Sequence, residues 1–179
     1  MKTSDLTRIA LMLSLLIISA QLSISIGPVA ISLQSLMVLI IGLVLTKEQA
    51  FLTSFLYLIA GLIGLPIFAQ SMGGPHSIFL PSFGFIISFL PAVWLMAKIR
   101  EKSSKEEKNS YIQAVLLGNF IIYLVGISYM SFILNVYLEM DMTFWQILLA
   151  GLLPFIPIDI LKSIIAIVIA KRLNTHLLD

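Results

Sequence analysis

The stretch Pro154-Phe-Ile-Pro-Ile-Asp-Ile-Leu-Lys162 places two opposite charges, Asp159 and Lys162, within an apolar run over residues 144–170. A charge at the centre of a membrane helix costs about 2.5–3.5 kcal/mol on insertion scales, so such residues usually serve a function. The spacing of three residues puts both side chains on one helical face, where they can pair. The alternative interpretation is a structural ion pair that faces neighbouring helices.

Two prolines stand immediately before these charges. Pro154 and Pro157 each lack a backbone donor and disturb the preceding turn, so we expect the helix to break there. Pro157 then fits the first turn of a new half-helix, in which the helix dipole favours the carboxylate of Asp159. A broken helix with charges at membrane depth is typical of a solute-binding site.

The composition is that of a membrane protein. Of the 179 residues, 59% are hydrophobic and 11% are charged, whereas soluble domains have about 25% charged residues. We therefore expect residues 1–179 to form a single transmembrane domain. The absence of cysteine excludes disulfide and thiol chemistry. The net charge of +2 gives no indication of nucleic-acid binding, and we expect no nucleic-acid partner.

Six apolar runs have about the length that a membrane-spanning helix needs. They cover residues 9–26, 29–45, 50–69, 83–97, 112–136 and 144–170. Ten of the eleven basic residues fall at the two termini and after the second and fourth runs, and the eleventh is Lys162. Because basic loops stay on the cytoplasmic side, this pattern predicts an all-α protein with six transmembrane helices and both termini cytoplasmic.

Further polar residues interrupt the apolar runs. Asn119 and Tyr123 are four residues apart and face the same way, at a depth where they can meet Asp159 and Lys162. Gln34 offers two donors and an acceptor, so it either bonds a neighbouring helix or contacts a polar ligand.

The segment after the third run, Gln70–Gly84, is rich in glycine and proline. Such a loop can fold down as a lid, and its bare backbone can approach a ligand at Gly73 and Gly74. His76 in this loop is a lone histidine, so we expect no metal site.

The first run contains Ala10 and Ser14, a small-xxx-small pair that lets another helix approach closely. This pair serves either packing within the bundle or contact with an external partner. The spacing alone leaves both interpretations open.

Several catalytic and nucleotide-binding motifs are missing. The chain has no Gly-x-x-x-x-Gly-Lys-Ser/Thr phosphate loop, so it cannot energise transport with ATP alone. It has neither His-Glu-x-x-His nor Gly-x-Ser-x-Gly, so nothing in the sequence supports an intramembrane hydrolase.

Four blocks of this sequence together resemble BioY, the biotin-binding S component of energy-coupling factor (ECF) vitamin transporters. The blocks are 27–34 with 39–43, 56–69 with Gly73-Gly74, 118–126, and 154–162. The chain departs from the family pattern at Ala30, Ser32, Ile158 and 80–85, which affects the expected loop path more than the polar positions.

The resemblance implies an S-component-like bundle in the cell membrane that captures biotin from outside, uses no cofactor and is not an enzyme. It also implies two classes of partner, a transmembrane coupling (T) subunit and two cytoplasmic ATPase subunits. Ala10 and Ser14 occupy the positions that meet the coupling subunit.

The biotin ureido group needs both donors and acceptors. Asp159 can accept from its N–H groups, and Lys162, Asn119 or Tyr123 can donate to its carbonyl. The carboxylate is expected at Gly73-Gly74 or Ser77. The alternatives are an S component for another small vitamin, a standalone biotin carrier, or a membrane scaffold without a solute.

Overall fold

A computed structural model describes residues 2–26, 29–103 and 108–176. Within these ranges the chain forms seven α-helices, a two-stranded hairpin and short irregular helical turns. The helices are α1 (Thr3–Gln21), α2 (Gln34–Val44), α3 (Lys47–Leu62), α4 (Phe83–Lys102), α5 (Lys108–Phe132), α6 (Phe144–Gly151) and α7 (Ile156–His176). The strands β1 (Ser23–Ile26) and β2 (Val29–Ser32) lie between α1 and α2. Two 3₁₀ turns, Ala69–Ser71 and Pro75–Phe79, precede α4, and a π-helical turn, Ile133–Tyr137, continues α5.

The helical membrane class is confirmed, and each of the six apolar runs contains one helical segment or a broken pair. Three helices in the described part of the chain are long and apolar enough to cross a membrane: α1, α4 and α5 with its π turn. The bent pair α6 and α7 makes a fourth candidate. The count of six spans and the cytoplasmic termini therefore stay predictions.

The helices of the first two apolar runs are shorter than the runs, because α1 ends at Gln21 and α2 begins only at Gln34. Ser23–Ile26 and Val29–Ser32 are not helical but pair as antiparallel strands, with Ser23 opposite Ser32. The alternating Ser-Ile-Ser-Ile sequence suits a pleated strand, and pairing satisfies backbone groups that a helix would otherwise satisfy. Gly27 and Pro28 lie outside the described residues.

The third helix is also shorter than its apolar run. α3 ends at Leu62 rather than at residue 69. Gly64 adopts a φ of +112°, which only glycine reaches without strain, and Pro66 cannot donate a helical hydrogen bond. Residues 64–69 are therefore free to begin the loop that leads to α4.

The predicted break before the charges is confirmed. α6 ends at Gly151 and α7 begins at Ile156, and the two helices are bent by 44°. Pro157 lies in the first turn of α7, and Asp159 follows in the same turn. Because of this break, Asp159 lies in the first turn of a helix rather than in the middle of one long helix.

α2 is the central helix of the bundle. Val38, Leu39 and Ile41 are completely buried, and the helix packs against both α4 and α7. α4 and α5 approach each other closely because Gly118 and Gly126 leave room for side chains of α4. A Cβ at Gly126 would overlap the ring of Phe85. This packing holds the first turns of α2 and α7 beside the middle of α5.

Candidate solute-binding site

A cavity of about 250 Å³ opens among the hairpin, α2, α4, α5, α7 and the loop before α4. One end, which we call the helical end, is formed by polar side chains of three helices: Ser35, Tyr123, Asp159 and Lys162. The other end, which we call the loop end, is formed by Ala69, Gln70, Met72, Ser77, Leu80, Pro81 and Ser82. The apolar lining includes Phe68, Phe83, Phe85, Ile86, Phe89, Ile122 and Phe155. The lining thus combines a charged group, a largely aromatic apolar group and a neutral polar group.

At the helical end, Lys162 Nζ lies 3.0 Å from Asp159 Oδ1. The Ser35 hydroxyl of α2 accepts from Lys162 Nζ at 2.9 Å and donates to the same carboxylate oxygen at 3.2 Å. The Tyr123 hydroxyl of α5 donates to Asp159 Oδ2. Three helices therefore fix one ion pair at the cavity wall.

The burial of this pair makes its geometry energetically important. The Lys162 and Asp159 side chains are 7% and 14% exposed. Breaking a buried pair by removing one partner leaves an uncompensated charge and costs about 3–5 kcal/mol. The pair bonds neighbouring helices, as a structural ion pair would, and it also borders the cavity, as a solute-binding pair would. The structure is therefore consistent with both interpretations of the sequence.

Gln34 also borders the cavity, within a buried hydrogen-bond chain. Its Oε1 accepts from Ser32 at 3.0 Å, and its Nε2 donates to the Tyr57 hydroxyl at 2.6 Å. Tyr57 in turn donates to the carbonyl of Ile67 at 2.9 Å. This chain joins the hairpin to the start of the loop, and among the described residues it uses one of the two Gln34 side-chain N–H groups.

Asn119 lies away from the cavity lining. Its amide donates to the Ser163 hydroxyl at 2.9 Å, and Ser163 donates to the backbone carbonyl of Asp159 at 2.6 Å. Asn119 therefore stabilises the first turn of α7 through Ser163 and is not part of the cavity lining. Its direct contact with a ligand stays a prediction.

In the loop, Ser77 borders the cavity but Gly73 and Gly74 are outside its lining. Ser77 is 1% exposed, and its hydroxyl has no hydrogen-bond partner within the described ranges. Gly73 is packed so tightly that a Cβ would overlap the Leu65 carbonyl oxygen, and the Gly74 N–H donates to Gly61 O at 2.7 Å. The two glycines thus fasten the loop to the end of α3, and their contact with a ligand also stays a prediction.

A second fastening ties the loop to α1. Gln21, the last residue of α1, donates to the carbonyl of Phe68 at 3.3 Å and accepts from the Ser71 hydroxyl at 2.9 Å. The Gln70 N–H donates to Ser23 at 3.2 Å. The part of the loop that borders the cavity is therefore held by polar groups of α1 and β1.

The sequence analysis missed four residues that organise the site: Ser35, Ser32, Tyr57 and Ser163. Ser35 directly follows Gln34, and Ser163 directly follows Lys162. Their position next to the polar candidates was the sequence feature that could have identified them. Serine is common in membrane helices as a local backbone binder, so its type alone did not distinguish these positions.

On the outer surface of α1, Ala10 and Ser14 are exposed, and the Ser14 hydroxyl bonds the carbonyl of Ala10 at 2.8 Å. Large apolar side chains surround this shallow notch, including Leu6, Leu11 and Ile18, each more than half exposed. Within the described chain the pair does not pack in the bundle core.

A helical membrane protein whose small cavity ends in a buried ion pair belongs to the class of membrane solute-binding proteins. Comparison with protein families matches the BioY family over residues 1–179. The chain belongs to the BioY family.

Individual relatives agree with this assignment. The chain is 35% identical over 174 residues to a probable biotin transporter BioY of Pyrococcus horikoshii, covering 97% of this chain and 98% of the relative. It is 31% identical to the biotin transporter BioY of Thermotoga maritima, covering 95% of each chain. The fold matches the crystal structure of the S-component for biotin from an ECF-type ABC transporter, with a TM-score of 0.83 and 28% identity over 98% of this chain and 95% of that one. The protein is a multi-pass protein of the cell membrane, and its relatives are transporter components rather than enzymes.

Proposed function

We propose that this chain is the substrate-binding subunit of an ECF-type vitamin transporter and that it captures biotin from outside the cell. The observation that carries the proposal is the Asp159–Lys162 ion pair at the cavity wall, in which Lys162 Nζ lies 3.0 Å from Asp159 Oδ1. The names of the relatives and of the structural neighbour support biotin as the solute.

The helical end suits a ureido group. A carboxylate has about four acceptor sites, of which described residues occupy three, so Asp159 retains capacity for a ureido N–H. An ammonium has three donors, of which Ser35 and Asp159 take two. Lys162 can therefore donate its third N–H to the ureido carbonyl. One ion pair thus offers a donor and an acceptor side by side.

The rest of biotin matches the remaining cavity. Its apolar ring and chain would lie among Phe68, Phe85, Phe89 and Phe155, where apolar surface is removed from water. Its carboxylate would then lie at the loop end, where Ser77 offers a buried hydroxyl. A cavity of about 250 Å³ lies just below the usual range of ligand pockets, about 300–1,000 Å³, which favours a single small vitamin.

The energy for uptake would come from partners. Because the chain has no phosphate loop, other subunits would hydrolyse ATP, and the resemblance implies that these are two cytoplasmic ATPase subunits joined through a transmembrane coupling subunit. We assign the exposed notch at Ala10 and Ser14 to the coupling subunit. Helices in a bilayer associate through close packing rather than through the hydrophobic effect, and small residues allow that close packing.

A ligand screen tests the proposal directly. Small molecules that co-purify with the protein are identified by mass spectrometry, and thermal stabilisation is then measured with biotin and with other water-soluble vitamins. We expect biotin to co-purify and to stabilise the protein selectively. Selective stabilisation by another vitamin would contradict the assignment, and uptake in cells without any coupling ATPase would indicate a standalone carrier.

A further inference from the structure

The charges around the cavity lead to a conclusion about which biotin derivatives the site accepts. We infer that recognition depends on the ureido head and is indifferent to the charge of the tail. The site then takes biotin and its uncharged carboxyl derivatives, such as the amide and simple esters, as one ligand class. This inference rests on the proposed function, because it assumes that the ureido group lies at the helical end.

The only ammonium or guanidinium group in the cavity lining of the described chain is Lys162. Its Nζ already contacts the carboxylate of Asp159 at 3.0 Å and the Ser35 hydroxyl at 2.9 Å. The helical end is therefore neutral as a unit. It can bind a neutral group that both donates and accepts, but it has no surplus positive charge.

The loop end also lacks a cation. Residues 48–97 contain no lysine or arginine, so the entire loop between α3 and α4 is without either. His76 precedes Ser77, but it is exposed and lies outside the lining. The polar groups that the loop presents to the cavity are hydroxyls and an amide, from Ser77, Ser82 and Gln70.

The charges in the neighbouring loop are negative. Phe79 stacks on Tyr137 with ring centroids 5.0 Å apart, which places the segment after the π turn beside the loop end. That segment carries Glu139 and Asp141, both exposed. Charges of opposite sign raise the local concentration of an ionic ligand. Glu139 and Asp141 have the same sign as a carboxylate, so they do not attract it to the site.

The buried hydroxyl of Ser77 suits either form of the tail. A hydroxyl donates to a carboxylate, an ester carbonyl or an amide carbonyl, and it accepts from an amide N–H. A carboxylate forms the stronger hydrogen bond, but without a counter-ion it also loses more hydration on entering the cavity. These two effects oppose each other, so the charge of the tail has little net effect on affinity.

The test compares biotin with biotinamide and biotin methyl ester on the purified full-length chain in detergent. Competition calorimetry is run at about pH 8, where the biotin carboxylate is charged and an ordinary histidine is neutral. We expect the three dissociation constants to agree within about fivefold, which is the typical effect of one neutral hydrogen bond. Biotin affinity should also change little when ionic strength rises from about 0.05 to about 0.5 M.

A loss of more than about fivefold for both uncharged derivatives would overturn the inference while leaving biotin as the ligand. Failure of all three compounds to bind would overturn the proposed function as well, so the two failures are distinguishable. Tight binding of biotinamide and its ester alongside biotin supports the inference.

A matched pair of variants places the tail. Gln70 borders the loop end with an exposed side chain, so Gln70→Lys and Gln70→Glu introduce opposite charges at one position. We expect the preference for biotin over biotinamide to rise about threefold in Gln70→Lys and to fall about threefold in Gln70→Glu, the size of an exposed ion-pair effect. Unchanged preference in both variants would show that the tail is not at the loop end and would overturn the inference.

Discussion

Lys162 Nζ lies 3.0 Å from Asp159 Oδ1, one helical turn earlier in α7, and both side chains border the cavity. The turn that holds them begins immediately after the break between α6 and α7. Loss of one charge from a buried pair of this kind destabilises the fold, because the other charge is left uncompensated. The presence of both charges also makes the pair suitable for a ligand that supplies one donor and one acceptor together.

Removal of either charge should abolish tight biotin binding. In Asp159→Asn and in Lys162→Ala, the ureido group loses a charged partner, and we expect the dissociation constant to rise at least about 100-fold. The measurement is calorimetry on purified protein. Each single variant should also have a lower melting temperature without ligand, because one buried charge is left unpaired.

The double variant Asp159→Asn, Lys162→Met is the matched control for stability. It removes both charges, so the melting temperature should recover toward that of the unmodified protein while biotin binding stays lost. Retained tight binding in the double variant would show that the pair is only structural.

Ser35→Ala should weaken biotin binding about fivefold to tenfold, because hydrogen bonds to charged groups contribute about 1.5–3 kcal/mol and other partners compensate in part. The Ser35 hydroxyl links Lys162 Nζ to Asp159 Oδ1 across two helices. Ser128→Ala is the control, since the Ser128 hydroxyl donates to the carbonyl of Leu124 within its own helix. Equal affinities in both variants would argue against a role for Ser35.

Gly73→Ala should disturb the loop end. The added Cβ would overlap the carbonyl oxygen of Leu65, a backbone atom that cannot rotate away. Because overpacking costs about 1–3 kcal/mol, we expect a lower melting temperature and biotin affinity reduced about tenfold. Ile78→Ala alters an exposed side chain of the same loop outside the lining and should leave both quantities near their original values. Normal binding by Gly73→Ala would mean that the loop path does not affect the ligand.

Gln21→Leu should speed biotin release. It removes the hydrogen bonds from the end of α1 to Phe68 and Ser71, which hold the loop that borders the cavity. Losing them should raise the dissociation rate about fivefold while the association rate changes little. A radiolabelled-biotin chase measures the rate. Gln21→Glu keeps the acceptor for Ser71 and should give an intermediate rate, and identical rates in all three proteins would speak against this fastening.

Ala10→Leu and Ser14→Leu should separate binding from uptake. Filling the notch on α1 prevents close approach of another helix, so we expect unchanged biotin affinity in the isolated chain and loss of most uptake when the coupling and ATPase subunits are co-expressed. Leu116→Phe enlarges an exposed residue of α5 and serves as the control. Full uptake by the two α1 variants would place the coupling surface elsewhere.

Local sequence features predicted the charged end of the site well. The spacing of Asp159 and Lys162 and the two prolines act within one or two helical turns, so the break and the pairing follow from nearby residues. The hydrogen-bond partner of Asn119 was harder to predict. The sequence gives the position of Asn119 along α5, but only the packing of α5 against α7 brings it to Ser163.

By itself, the sequence determined that the chain is a helical membrane protein with an ion pair at the start of a broken helix, because hydrophobic content, charge spacing and proline effects are local. Only the tertiary structure decided that Ser35, 124 positions away from Asp159, completes the pair, that residues 23–32 contain a hairpin, and that Gly73 fastens the loop instead of lining the cavity. These are contacts between distant segments, and they depend on the packing of whole helices rather than on any pattern within one of them.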